Sequence, residues 1–191
     1  MLNYIPASIG ILIGGKNSRL NGLKKWDIKI KDLTILERTI KISSNFKKQY
    51  LLGKTHLKID GVSFLKDEHY NFSPLFGLHS LLKKSKYDWN FLIASDLPFI
   101  SDKIFNKIWD LKQENQSAII PFSKGKLHFT CGFYNKNLLT KIEHNIKNKQ
   151  LSMKNLLKNK AIIIVKINEE NFFNLNSFSD LKKFQKKLNT I

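Results

Sequence analysis

ILIGGKNSRLNGLKK, residues 11–25, decides how the rest of the chain is read. Extended back to Ser8 it begins as SIGILI (8–13), small and apolar throughout, and runs into Gly14-Gly15. A strand with no polar alternation is covered on both faces, as in a parallel sheet lying between helical layers. Past the glycines the chain turns polar and positive through Arg19, Lys24 and Lys25. Glycine amides approach a nucleotide closely, and Arg19 and Lys25 are placed to neutralise charge on a phosphoryl group. The loop matches neither common phosphate signature. Gly22 is followed by Leu23 rather than by Lys-Ser/Thr, and no G-x-G-x-x-G continues from Gly14. Gly14-Gly15 therefore also reads as a plain tight turn leaving a strand.

Outward from this stretch, strands and helices alternate. TILERTIKIS (34–43) spaces Ile35, Leu36, Thr39, Ile40 and Ile42 as a helix does. YLLG (50–53) and VSFL (62–65) are short strands. PLFGLHSLLKKS (74–85) opens with proline in a first helical turn and carries a Leu78, Leu81, Leu82 stripe. NFLIAS (90–95) is a further buried strand, followed by a helix over 101–111 with Ser101 or Asp102 as its N-cap. SAIIPF (117–122), FTCGFY (129–134) and KNLLTKIEHNI (136–146) read as strand, strand, helix, and AIIIVKI (161–167) as a last strand. SFSDLKKFQKKL (177–188) closes as a helix, with Ser177 and Asp180 at capping-box spacing. The pattern predicts one α/β domain over 1–191, a three-layer sandwich around a mostly parallel central sheet. Ligands in such sheets sit beyond the carboxyl ends of the strands, where strand order reverses.

Composition narrows the function classes. The 191 residues are 42% hydrophobic, an ordinary globular share, and no apolar run approaches the roughly 20 residues of a membrane helix. The amino terminus has no basic start and a short apolar stretch, which argues against a signal peptide. Cys131 is the one cysteine, so no intramolecular disulfide and no thiolate cluster is expected, and the cytoplasm is the expected location. The formal charge of +18 invites a nucleic-acid reading. Yet only Arg19 and Arg38 carry the guanidinium forks that read bases, and the lysines are scattered, so no specific nucleic-acid partner is expected.

Two carboxylates follow strands. Asp96 in LIASDLPFI ends a buried strand, where a Mg²⁺ ligand of a nucleotide site belongs; as a bland reading it is a turn aspartate. Asp67 in FLKDEHY is placed alike, with Glu68 beside it suggesting a solvated face. His128 is either a substrate contact or a solvated histidine, and Asn174 and Asn176 read as loop asparagines bonding their own backbone. Trp26, Trp89 and Trp109 read as packing, and the five histidines show no metal spacing.

Taken in order, ILIGGKNSRLNGLKK, DEHYNFSPLFGLHSLL, FLIASDLPFI, HFTCGFYNKNLLTKIE and FFNLNSFSDL resemble the molybdenum cofactor guanylyltransferases, nearly end to end. The resemblance implies a Rossmann-like nucleotide-diphospho-sugar transferase architecture. It implies Mg²⁺-dependent transfer of GMP from GTP to the terminal phosphate of molybdopterin, with release of pyrophosphate. By motif, Leu12, Ile13, Gly14 and Gly15 lie along the nucleotide, Lys25 binds phosphate, Asp67 binds the nucleotide and Asp96 holds the magnesium. Arg19, Lys25 and Asp96 form the implied catalytic set. Asn174 and Asn176 border the acceptor substrate, and other cofactor-biosynthesis proteins and molybdoenzymes are implied partners. Gly53 stands where the family often has a nucleotide-binding asparagine. Lys24 replaces an acid, Ser73 a glycine, Phe129 a proline, and Phe76 a small residue, the last narrowing the expected nucleotide pocket. Two rivals remain from the residues alone: a nucleotidyltransferase of the same fold using CTP, and a non-enzymatic polyanion-binding protein.

Overall fold

The computed structural model describes residues 4–14, 19–20, 23–67, 69, 71–168, 172–173, 175, 179–180 and 182, with Arg19, Leu20 and Leu23 described by backbone alone. The apolar run of the opening stretch is strand β1 (Ile5–Leu12), buried without a break from Ala7 to Ile11. Its side chains divide between two layers, as a period of two requires. Ile9 and Ile11 join Leu51, Phe91, Ile93, Phe105 and Phe133 on one face. Leu12 packs on the other with Leu52, Leu78, Leu81 and Leu92. The buried hydroxyl of Ser8 is satisfied by that of Ser85 at 2.9 Å.

After β1 come two short hairpins, β2 (Arg19–Leu20) with β3 (Leu23–Lys24) and β4 (Lys29–Ile30) with β5 (Leu33–Thr34), separated by a 3-10 turn at Lys25–Asp27. Sequence periodicity does not show strands of two residues, and none was expected here. Helix α1 (Ile35–Ile42) then starts on a capping box: Thr34 Oγ1 accepts from Glu37 N at 3.1 Å while Glu37 Oε2 accepts from Thr34 N at 2.7 Å. It leads to β6 (Phe46–Gly53) and β7 (Ser63–Lys66). Helix α2 (Pro74–Lys84) has Ser73 as its N-cap, and β8 (Trp89–Ala94) follows. Helix α3 (Asp102–Trp109) begins after Ser101, whose side chain makes no capping bond. The chain continues through β9 (Ala118–Ser123), β10 (Lys126–Leu127) and β11 (Cys131–Asn135). A 3-10 turn then runs into α4 (Leu139–Lys147), followed by α5 (Met153–Leu157) and β12 (Ile162–Lys166). The five-residue α5 was not foreseen. Of the expected closing helix, Ser179, Asp180 and Lys182 are described and lie in helical backbone; Ser177 and the remainder fall outside the described residues.

The main sheet runs in the order β10-β9-β11-β8-β1-β6-β7, with β12 paired to β9. β8, β1, β6 and β7 are mutually parallel, while β11 is antiparallel to both β8 and β9. From β1 the chain winds outward through β6 and β7, then crosses back over α2 to β8 on the far side of β1. Strand order therefore reverses between β1 and β8, which is where the ligand rule points. Close approach of α2 to this place depends on two glycines. A Cβ on Gly10 would stand 2.6 Å from Leu52 Cδ1 and 2.8 Å from Leu81 Cδ2, and one on Gly77 would overlap Leu12 Cδ2. The tryptophans are packing residues: Trp89 is buried, and Trp26 and Trp109 lie partly buried against the core. No described helix is long and apolar enough to cross a membrane.

Candidate active site

Short backbone bonds lace the four parallel strand ends together. Ser95 N donates to Leu12 O at 3.1 Å, Ile13 N to Leu52 O at 3.0 Å, and Asp67 N to Gly53 O at 2.8 Å. Above them opens a pocket of about 230 Å³. Leu12, Gly14, Leu52 and Gly53 come from β1 and β6, Lys54 and Asp67 from the residues just after β6 and β7. Phe72, Ser73, Pro74 and Gly77 come from the start of α2. Sites that enclose a whole drug-sized ligand run to roughly 300–1,000 Å³, so this one suits a flat ring, with the rest of a ligand lying along the strand ends.

Leu12, Gly14, Gly53 and Asp67 thus meet in one pocket. Gly14 does not adopt the left-handed conformation of a tight-turn glycine. What its missing Cβ leaves open is the pocket floor, where that atom would lie 3.9 Å from Gly53 Cα. Ile13 turns the other way: its side chain is in the core, its N–H is taken by Leu52 O, and it does not line the pocket. Glycine at 53 has a local cause, since a Cβ there would stand 2.9 Å from Ile13 Cγ1. Asp67 is half-buried, and its Oδ1 accepts from His69 N at 3.0 Å, an Asx-type turn that fixes the direction of the carboxylate. Phe76 does not narrow the pocket. It is buried and stacks on the His69 ring, with centroids 4.0 Å apart and planes at 15°. Ser73, also divergent from the family pattern, accepts from Leu75 N at 3.2 Å and donates to Leu151 O at 3.0 Å, holding the start of α2 in place.

Next to the pocket, Lys25 and Asp96 are brought together. Lys25 opens the 3-10 turn and is only 4% exposed. Asp96 sits two residues past β8, and burial pushes its carboxyl above the ordinary aspartate pKa, with the nearby Lys25 ammonium pulling it down. Lys24 faces the other way, exposed, with its Nζ 5.1 Å from the Trp26 ring centroid. Asp96 O accepts from Leu175 N at 3.3 Å, which ties Leu175 to this corner. Arg19 is described by its backbone, which pairs with Lys24 across the β2–β3 hairpin. Gly15, Asn174 and Asn176 lie outside the described residues. His128 is half-buried, bonded through Nε2 to Ser123 Oγ at 2.7 Å and stacked on Phe172 at 3.8 Å; desolvation lowers its pKa. Lys54 and Phe72 were missed. Lys54 had a signal, its place directly after a strand, whereas Phe72 had none.

The chain is similar to known proteins. The family model described as MobA-like NTP transferase domain matches residues 9–163. A probable molybdenum cofactor guanylyltransferase of Clostridium perfringens is 28% identical over 198 residues, covering 96% of this chain and 98% of the relative. The solved molybdopterin-guanine dinucleotide biosynthesis protein A of Archaeoglobus fulgidus superposes with a TM-score of 0.81 at 16% identity, over 96% of this chain and all (100%) of that one. The 2-C-methyl-D-erythritol 4-phosphate cytidylyltransferase of Thermus thermophilus superposes with a TM-score of 0.74 at 15% identity, over 97% of this chain and 100% of that one. Superposition at such identities shows the fold, which a molybdopterin-guanine dinucleotide biosynthesis protein and a cytidylyltransferase share.

Proposed function

Because the chain belongs to the MobA-like NTP transferase family, we propose that it transfers GMP from GTP to the terminal phosphate of molybdopterin, forming the guanine dinucleotide cofactor. The observation that carries this reading is a buried Lys25 whose ammonium acts on the Asp96 carboxyl, together with a ring-sized pocket that Asp67 borders. In this reading the base enters the pocket and the phosphates lie toward β1 and β8. Asp67 accepts from guanine N1–H and N2–H, donors that lie on one edge of that base. Leu12 and Gly14 run along the nucleoside, a role the sequence resemblance also gives to Gly15.

An oxygen of the molybdopterin phosphate attacks the α-phosphorus in line; the bond to the β-phosphate breaks and pyrophosphate leaves from the opposite side. The protein contributes placement and charge more than covalent chemistry. Lys25 donates to phosphate oxygens from a turn that is already built, and Arg19 adds a second positive charge from the same loop. Asn174 and Asn176 are assigned to the acceptor substrate by the sequence resemblance alone.

Asp96 suits Mg²⁺. It offers hard carboxylate oxygens in a half-buried place, where burial raises the carboxyl pKa against the pull of Lys25, so a bound cation would stabilise the charged form. No group of three His, Cys, Asp or Glu among the described residues could hold a metal unaided, so the ion would be shared with the triphosphate. When bound it neutralises charge that builds on the phosphate oxygens.

Thermal denaturation with GTP, CTP, ATP or UTP, each with Mg²⁺, tests the assignment. GTP is expected to raise the Tm most at matched concentration. Equal shifts with CTP or ATP would overturn the guanine assignment.

A further inference from the structure

Across the pocket mouth, Lys54 Nζ stands 4.0 Å from the centroid of the Phe72 ring. Phe72 is 46% exposed, unusual for a large aromatic side chain, and lies just before the N-cap of α2. We propose that Lys54, seated on Phe72, is a specificity-determining residue that reads the O6/N7 edge of the purine. The inference rests on the guanylyltransferase reading above, and goes beyond it by naming the group that selects guanine on the edge Asp67 does not reach.

Position separates Lys54 from the phosphates. Lys25 and Asp96 mark the β1–β8 side, whereas Lys54 follows β6 and borders the pocket with Asp67 from the end of β7. From β8 to β6, the strand that Lys54 follows, is two strand spacings, about 10 Å at roughly 4.8 Å each. A nucleotide laid across those strand ends puts its base under Lys54 and its phosphates by Lys25.

Charge then selects the base. Among the described residues, the pocket wall carries the Asp67 carboxylate and the Lys54 ammonium. Guanine offers donors at N1–H and N2–H and acceptors at O6 and N7, so it meets both signs at once. Adenine presents an amino donor where O6 would be and an acceptor at N1, so each protein charge meets the wrong partner. Phe72 supplies the geometry. A lysine stem is flexible, but an aromatic face beneath the ammonium holds it over the opening through cation–π attraction.

Equilibrium binding of GTP, ITP and ATP to wild type, Lys54→Met, Lys54→Arg and Phe72→Leu, measured by calorimetry, tests this. Lys54→Met is expected to weaken GTP about 10-fold or more, with ATP little changed, so that the GTP/ATP preference falls by about the same factor. ITP keeps O6 and N7 and is expected to lose as much as GTP. Lys54→Arg should retain most of the preference, because a guanidinium donates to the same edge, and Phe72→Leu should lose part of it. Equal losses for GTP and ATP, no loss for GTP, or a loss for GTP not shared by ITP would each overturn the assignment to Lys54. A wild-type protein without preference for GTP would refute the guanine reading itself, and this inference with it.

Discussion

Lys24 and Lys25 are adjacent, carry the same charge, and are placed by the fold in opposite environments. Replacing each with alanine removes one unit of charge from a chain of formal charge +18, so the pair controls for the diffuse field. Lys25 is 4% exposed and close enough to Asp96 to pull its pKa down. In the proposed reading its ammonium donates to a phosphate oxygen whose charge rises in the transition state. A hydrogen bond to a charged group is worth about 1.5–3 kcal/mol, which converts to a loss of roughly 10- to 150-fold in kcat/KM for Lys25→Ala. Lys24 makes an exposed contact over Trp26, worth about 0.5–1 kcal/mol of stability. Lys24→Ala is therefore expected to stay within about 2-fold of wild-type kcat/KM, with a slightly lower Tm. The assay is pyrophosphate release from GTP and molybdopterin, with circular dichroism to confirm that both variants are folded. Equal losses, large or small, would refute the argument, because a merely basic surface does not distinguish the two lysines.

Asp96→Asn keeps the shape but loses the carboxylate, and turnover is expected to fall by orders of magnitude while the fold persists; wild-type turnover would remove Asp96 from the site. The same variant carries a pH signature. A folded pKa raised above the unfolded value gives stability that is present at low pH and lost as pH rises through the folded pKa. Ligand-free Asp96→Asn should thus melt above wild type at about pH 7.5, the gap closing toward about pH 4, where the unfolded carboxylate titrates. A constant gap across that range would contradict the burial argument. Gly77→Ala forces Leu12 aside, and about 1–3 kcal/mol of stability should go together with weaker GTP binding, since Leu12 lines the pocket. An unchanged Tm with unchanged GTP affinity would mean that α2 yields instead.

What the sequence determined by itself was the layer plan and the strand ends. SIGILI and NFLIAS have no polar alternation, so they had to be covered on both faces, and they are the paired central strands β1 and β8. Asp67 and Asp96 stand just past strands, so their place at the carboxyl edge followed from strand ends alone. Tertiary structure decided the rest. Nothing in a run of two lysines says which one turns inward; the β2–β3 hairpin and the 3-10 turn settle that, and both are too short to leave a period. Lys54 and Phe72 meet only because β6 and the start of α2 share one pocket, a contact made by sheet register and crossover rather than by spacing. The antiparallel insertion of β11 between β8 and β9 is of the same kind. Local periodicity reports which face of an element is buried, whereas the partner across that face depends on strand order, and strand order is written in the packing of the whole chain.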